Sequence, residues 1–535
     1  MFPLISSYAR SLPSFISQAK DSTSQLFEAA MGSFIEMLKT TGTSSFRVIS
    51  RLIVQNQEGP MVKKIGKTAF YLLLSGSLFG SFSLHGKETG SSFEDCLMPM
   101  ILSPIEGKMW VEQCVQQHPE VLWLANSEVH KTEEGQATLQ GTYSEQLFGQ
   151  KYIEFDRTIM TLHCLKLLLD GSEKAYATFT AAQPENGKLS FESFQMLHLQ
   201  GQTILKSRWG GMSELQMAEA METALVLGDI GKSEKARAIF NPYGIKAPDH
   251  DDFYGEAMQI IFHSPKLCPS FAKLPTSAKK LLFKIANLAH YGHVTHLEGG
   301  LGMFSKLKES GVPSTDPIAL SFDLFVHTCD VAGALGHVNN QSSIVYTEST
   351  HQAMQAMAEA VRVLISPNAS ELDAYNAYLS VRASWLGLNC HHHSDRVLTR
   401  VGAMLRLFTV EEGMVLRKAI AELDPVMQTR IAAQLDVQLK ESGRTPTYMP
   451  AVLVNLANNP ALGVTKEERL SKAVTIGLPF ITRVLERHKE LMAKGEIDPT
   501  IPLNFNAMAG LAKNSPNFLK GEFTINQESG VVMAL

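Results

Sequence analysis

The run Ala224-Leu-Val-Leu-Gly-Asp-Ile-Gly-Lys-Ser233 constrains this chain more than any other stretch. It is preceded by Ser213-Glu-Leu-Gln216, in which a serine hydroxyl can accept from backbone N–H groups and a glutamine three residues on can reach back. That capping box opens a helix rich in Ala, Met, Leu and Glu, which runs to Leu227 and is ended by Gly228 and Gly231. A carboxylate, Asp229, and an ammonium, Lys232, therefore stand at the mouth of a helical core, a place suited to chemistry on phosphate.

Helical periodicity dominates from about residue 190 onward. It predicts helices over Thr276 to Tyr291, Pro317 to Leu335, His351 to Ile365, Glu371 to Leu386, Asp395 to Phe408, Val410 to Leu423, Val426 to Leu439 and Lys466 to Lys494. Upstream, Trp110 to Gln117 and Phe155 to Leu169 are helix candidates, while Thr138 to Tyr143 and Ala175 to Ala182 read as short strands and Glu522 to Asn526 as a lone strand. The expectation is a mainly α protein. At 535 residues the chain is too long for one ordinary core. It divides on paper into an N-terminal segment 1–90, a mixed α/β segment 91–190, a helical core domain 191–345, a C-terminal helical domain 346–500 and an irregular tail 501–535.

The N-terminal segment holds an amphipathic run, Ser24 to Leu38, and then Met61-Val-Lys-Lys-Ile-Gly-Lys67 followed by the apolar stretch Ala69 to Leu84. Basic residues, a short apolar run and small residues form the pattern of an export signal, displaced here to Met61. Three readings stand: a true start at Met61 and export, a short membrane anchor through 61–84, or a buried or peripheral helix in a cytoplasmic protein. The stretch is short for a spanning helix, which needs roughly 20 apolar residues.

With 44% hydrophobic and 19% charged residues the chain is globular, and a net charge of −5 gives no electrostatic footprint for nucleic acid. Cys96, Cys114, Cys164, Cys268, Cys329 and Cys390 form no CxxC pair and read as buried free thiols. Trp209 and Trp385 lie in apolar surroundings and read as core. His391, His392 and His393 are adjacent, so on a helix they point apart; they read as the approach to a helix capped by Ser394 or Asp395.

Eight of the 17 histidines fall between His198 and His337. Asp323, His327 and Asp330 stand at i, i+4 and i+7 and share one helical face inside an apolar run. In His290-Tyr-Gly-His293-Val-Thr-His296-Leu-Glu298 a helix end and the following loop gather three imidazoles and a carboxylate. Polar side chains on apolar faces must find partners, and imidazole with carboxylate is a set that metals satisfy well. Gly228 to Ser233 is not a nucleotide P-loop: Val226 stands where the first glycine is required, and a capped helix precedes the motif in place of a strand.

The order of these residues resembles the HD-domain phosphohydrolases, their HD-GYP branch above all. His198 lies 31 residues before Asp229, Gly-Asp-Ile-Gly-Lys occupies the place of the HD-I-G-K doublet, and His250-Asp251 supplies a middle histidine. His293 to Gly300 is similar to the later histidine-glutamate-glycine stretch, and Thr328-Cys-Asp-Val-Ala-Gly-Ala334 to the helix carrying the closing aspartate, Asp330. The likeness covers about residues 190 to 340. Two departures stand out: Gly228 replaces the doublet histidine, and Gly299-Gly-Leu-Gly-Met303 stands where the GYP signature is expected.

The resemblance implies an HD-like core and a divalent metal (manganese, iron, magnesium or zinc) drawn from His198, Asp229, His250, His293, His296 and Asp330. With Gly228 in the doublet, one ion or none replaces two. Metal-bound water would attack a nucleotide or another small phosphoester, Lys232 would stabilise charge on the phosphoryl oxygens, and Glu298 or His327 would manage the proton. A metal-free site using the histidines as general acid and base is the second implication. The rival from a different class is a helical binding or scaffold protein that keeps the core and has lost catalysis.

Overall fold

The computed structural model describes residues 104–125, 141–436 except 246, 248, 249 and 287, and 445–535. Ser24 to Leu38 and Met61 to Leu84 lie outside the described residues. The architecture is mainly α: helix follows helix, and among the described residues the only sheet is a terminal hairpin. No helix among them is long and apolar enough to cross a membrane.

The organising helix is α1 (Ile153–Asp170), buried on nearly every face from Ile153 to Leu169. A helix apolar all round has to be surrounded, and α1 is packed by α2 (Phe191–Lys206), α3 (Glu214–Gly228) and, most extensively, the later helix over Pro317–Gly333. At that last crossing, a Cβ on Gly333 would lie 2.5 Å from the Thr161 backbone nitrogen, so only glycine lets the two helices approach so closely. The chain between them supplies α4 (His250–His263), α5 (Thr276–Ile285) and the one-turn α6 (Tyr291–Thr295) before α7 (Pro317–Gly333). Next, α8 (Glu348–Arg362) and α9 (Glu371–Trp385) complete a first core that reaches from Trp110 to Ala403.

A second core takes over around Ala383 and extends to Val532. It is built from α10 (His393–Met404), α11 (Val410–Ala421), α12 (Pro425–Leu435), α13 (Met449–Asn458), the long α14 (Lys466–Ala493) and α15 (Asn506–Asn514). Helix α13 sits against both α14 and α15.

Several helix boundaries follow the local chemistry read from the sequence. Ser213 and Gln216 make both bonds of their capping box, and α3 runs to Gly228 with Asp229 as its C-cap. Other expectations are corrected. Ala175 to Ala182 is helical, not a strand, within Glu173–Thr180: the Ser172 hydroxyl accepts from the Ala175 N–H, and that cap outweighs the strand-like composition. Thr138 to Tyr143 yields no strand among its described residues, because Thr142 caps a helix starting at Tyr143. The segment 91–190 is thus helical where described, and it gives α1 to the first core. The tail is more ordered than expected: Phe523–Ile525 (β1) pairs antiparallel with Val532–Ala534 (β2) after α15. Helix α10 begins at His393, with Asp395 accepting from the Asn389 N–H and pairing with Arg417.

Candidate active site

Where α3 ends, its last carbonyls put partial negative charge beside the Asp229 carboxylate, an unfavourable juxtaposition that needs compensation. The compensation is local: Lys232 Nζ lies 2.6 Å from Asp229 Oδ1, and the Thr158 hydroxyl of α1 donates to Oδ2 at 2.8 Å. Gly231 is required between them, because a Cβ there would lie 2.2 Å from the His250 carbonyl oxygen at the start of α4. Lys232 also stands 3.3 Å from Glu154 Oε2, and Arg157 reaches Glu154 Oε1 at 2.9 Å. Burial works against the Asp229 carboxylate, but the charge and hydrogen bond of Lys232 outweigh it and hold its pKa below the ordinary value. Burial also works against the Lys232 ammonium, and the Asp229 and Glu154 carboxylates more than offset this, holding its pKa above the usual value.

The Asp229 cluster forms one wall of a cavity of about 440 Å³. Helix α7 supplies Asp323, His327 and Asp330 to the wall from a single face. Burial, and then the neighbouring Asp229 charge, raise the Asp330 pKa to about 6, so the two aspartates are driven apart. Asp323 accepts a hydrogen bond from the Tyr291 hydroxyl at 2.7 Å, and burial pushes its pKa to about 7. The His327 ring packs 5.1 Å from the Tyr291 ring; its buried Nε2 has no hydrogen-bond partner, and burial lowers its pKa to about 4.

The rest of the cavity's polar lining is built from imidazole–carboxylate pairs. His290 Nδ1 lies 3.0 Å from Asp251 Oδ2, and His293 Nδ1 lies 2.7 Å from Glu298 Oε2. A carboxylate can only accept, so Nδ1 carries the proton in each pair and Nε2 is the basic nitrogen of the neutral ring. The two rings are 5.1 Å apart, centre to centre. His250 Nε2 stands 3.5 Å from Asp251 Oδ1, and His296 is kept neutral by burial, then by Arg406 and Arg382, with a pKa near 3.

The second core finishes the cavity. Glu298 Oε1 accepts from the Met449 N–H at 2.9 Å, at the N-terminus of α13, where the helix dipole favours negative charge. Arg400 of α10 donates to the carbonyls of Leu297 and Glu298, which fixes the loop that carries this carboxylate. Four non-glycine residues have positive φ among those described; two of them, Arg406 (56°) and Tyr448 (63°), line the cavity, and a third, Leu297 (49°), directly precedes Glu298 of its wall. Such conformations cost on the order of 1 kcal/mol or more each and gather at functional sites.

A family model matches residues 114–501. The chain belongs to that family of unknown function, DUF6829. No curated protein and no solved structure matches the chain. The span shared with DUF6829 contains α1, both walls of the cavity and the N-terminus of α13.

In this DUF6829 chain the cavity brings together Asp229, Lys232, His250, Asp251, His290, His293, His296, Glu298, Asp323, His327 and Asp330. His198 is not on the wall. Its Nδ1 lies 2.9 Å from the Leu168 carbonyl oxygen in the last turn of α1, where it satisfies a helix-end acceptor, so the structure does not bring it together with the other candidate ligands. His337 is buried and likewise off the wall. The resemblance implied His250 as a ligand; the firmer contact in that doublet is made by Asp251. Glu154, Arg157 and Thr158 of α1, with Arg406 and Tyr448 beyond it, are the participants that motif reading missed. The signal for the first group was a run of charged and hydroxyl residues, Glu154 to Thr158, inside an apolar helix.

The divalent ion implied by the resemblance fits one side of the cavity less well than the other. Asp229 is already satisfied by Lys232 and Thr158, Gly228 offers no side chain, and among the described residues no three His, Cys, Asp or Glu side chains are gathered to hold an ion. The donor chemistry on the histidine wall is closer to what a metal takes, since metal-bound imidazoles commonly turn Nδ1 to a carboxylate.

Proposed function

We propose that the cavity hydrolyses a small phosphoester, with His290 and His293 handling the protons. The observation that carries this reading is the pair of carboxylate-backed imidazoles, Asp251–His290 and Glu298–His293, with rings 5.1 Å apart in one cavity. One neutral ring accepts a proton from the attacking water while the other, protonated, delivers one to the leaving oxygen. Asp251 and Glu298 hold each ring in one tautomer and stabilise it when charged. Arg406 and Lys232 place positive charge on the wall, where negative charge on phosphoryl oxygens is offset. No step in this scheme passes through a metal.

A second reading, metal-assisted hydrolysis of the same bond, is favoured by the Nδ1–carboxylate bonds on the histidine wall. An ion there would lower the pKa of bound water. Turnover of p-nitrophenyl phosphate and bis(p-nitrophenyl) phosphate, with and without a chelator, tests both. Activity that persists in chelator and falls about 100-fold or more in His293→Ala supports the acid–base reading. Activity lost to chelator and restored by manganese or zinc supports the metal reading. A wild-type protein that turns over neither ester under any of these conditions returns the chain to the binding or scaffold class.

A further inference from the structure

His327 lines the cavity from α7, one turn after Asp323 and one turn before Asp330. Its ring is braced by that of Tyr291, 5.1 Å away centre to centre, and Tyr291 is itself held by the bond from its hydroxyl to Asp323 Oδ2 at 2.7 Å. The two nitrogens of this ring meet different surroundings. Nε2 is sealed from water and has no hydrogen-bond partner among the described residues, whereas Nδ1 is neither sealed nor paired. Nδ1 is therefore the nitrogen that a ligand in the cavity can reach.

The sealed nitrogen fixes the state of the ring. A cationic imidazole carries a proton on both nitrogens, and at Nε2 that proton would have no acceptor in a dry setting. Burial accordingly lowers the His327 pKa to about 4, with the His290 charge adding to the effect and that of Asp251 opposing it. The neutral ring has one proton to place. On Nε2 it would be a sealed donor without an acceptor; on Nδ1 it leaves only a sealed lone pair, the less costly omission, since buried N–H groups without an acceptor are the rarer in proteins. The tautomer is thus Nδ1–H, a donor on the accessible side. His290 and His293 are built the other way, with Nδ1 turned to Asp251 and Glu298. No carboxylate backs His327 among the described residues.

We infer that His327 is a catalytic residue of a different kind from the other two: a neutral donor whose Nδ1–H bonds a non-bridging phosphoryl oxygen and takes no part in the proton transfers. This rests on the phosphoester reading above and deepens it. A neutral imidazole stabilises charge on an oxygen without giving up its proton. Its contribution is the same at every pH at which His290 and His293 work.

The test is nuclear magnetic resonance of the full chain labelled with nitrogen-15 at histidine, from about pH 5.5 to 8.5, with and without inorganic phosphate. The His327 signals are identified by their loss in His327→Asn. The expected result is an Nδ1–H tautomer across the range, with phosphate shifting the Nδ1 resonance more than that of Nε2. A ring that becomes charged in this range, an Nε2–H tautomer, or an Nδ1 signal that phosphate leaves in place overturns the inference. Turnover of bis(p-nitrophenyl) phosphate is the second readout. His327→Ala should lower kcat about 100-fold, and His327→Asn, whose amide is also a neutral donor, should stay within about tenfold of wild type. Both variants should keep the wild-type pH profile. A limb lost from that profile, or an asparagine variant as slow as the alanine one, would make His327 a proton carrier and overturn the inference. Failure here is separable from failure of the hydrolase reading. A neutral Nδ1–H signal moved by phosphate, in a chain that turns over no ester, removes the hydrolase and keeps the donor site. Turnover with wild-type kcat in His327→Ala does the reverse.

Discussion

Glu298 joins the two cores: one carboxylate oxygen lies 2.7 Å from His293 Nδ1, and the other accepts the Met449 N–H at 2.9 Å. The same carboxylate therefore orients a histidine of the first core and seats the first turn of α13 in the second. Replacing it with glutamine keeps the shape and removes the charge. Glu298→Gln is expected to lower kcat for phosphoester hydrolysis about 10- to 100-fold, the usual cost of removing a carboxylate behind a working imidazole. KM should change less than kcat, since both carboxylate oxygens are already engaged by His293 and the Met449 N–H. Steady-state kinetics on bis(p-nitrophenyl) phosphate check it, and an unchanged kcat would remove His293 from the proton-transfer role.

The Asp229–Lys232 pair predicts a stability effect that needs no assay of function. Lys232→Met strands Asp229 in a buried setting at the end of a helix, and the expected loss is roughly 3 kcal/mol in urea denaturation. Asp229→Asn combined with Lys232→Met should recover at least half of that, because the uncompensated charge is gone. Since the folded-state pKa of Asp229 is depressed, its contribution is complete above the ordinary carboxylate range and disappears as pH falls through the folded value. Additive single-variant losses would show that the two side chains do not act as a pair.

Asp323 predicts the opposite pH dependence. Its pKa rises from 3.8 to about 7 on folding, so between those values the folded protein holds a proton that the unfolded chain releases. Stability then falls as pH rises through that window, by at most about 1.4 kcal/mol per pH unit. Asp323→Asn removes the titration and keeps an oxygen to accept from Tyr291. The variant should match wild type near pH 4 and exceed it by on the order of 2 kcal/mol at pH 8. Denaturation midpoints measured at four pH values decide the matter; parallel profiles for the two proteins would mean that Asp323 is ionised throughout.

Much of this arrangement was legible in the sequence because it is local. The Ser213–Gln216 box, the i, i+4, i+7 spacing of Asp323, His327 and Asp330, and the clustering from His290 to Glu298 all depend on residues a few positions apart. What escaped depends on distant partners. Helix α1 is buried all round, so it carries no amphipathic stripe to announce that Thr158 faces Asp229, 71 residues away. His198 has the spacing of a ligand, yet the crossing of α1 and α2 turns it to a helix-end carbonyl. A left-handed arginine at 406 has no sequence signature, since glycine or asparagine is what that backbone usually takes.

Gly228 supplies the last prediction. It ends α3 in a helical conformation on the cavity wall, and a Cβ added there meets nothing within 4 Å. Neither a turn nor a close approach explains the glycine, which costs roughly 0.5–1 kcal/mol relative to alanine in a helix. Gly228→Ala should therefore stabilise the protein by about that amount. If the space beside Asp229 is where the substrate sits, Gly228→Leu fills it and raises KM for the phosphoester while leaving the urea midpoint at or above that of wild type. Thermal and urea denaturation alongside KM separate the two effects. A leucine variant with wild-type KM would place the substrate elsewhere in the cavity, and an alanine variant less stable than wild type would show that α3 does not end as described.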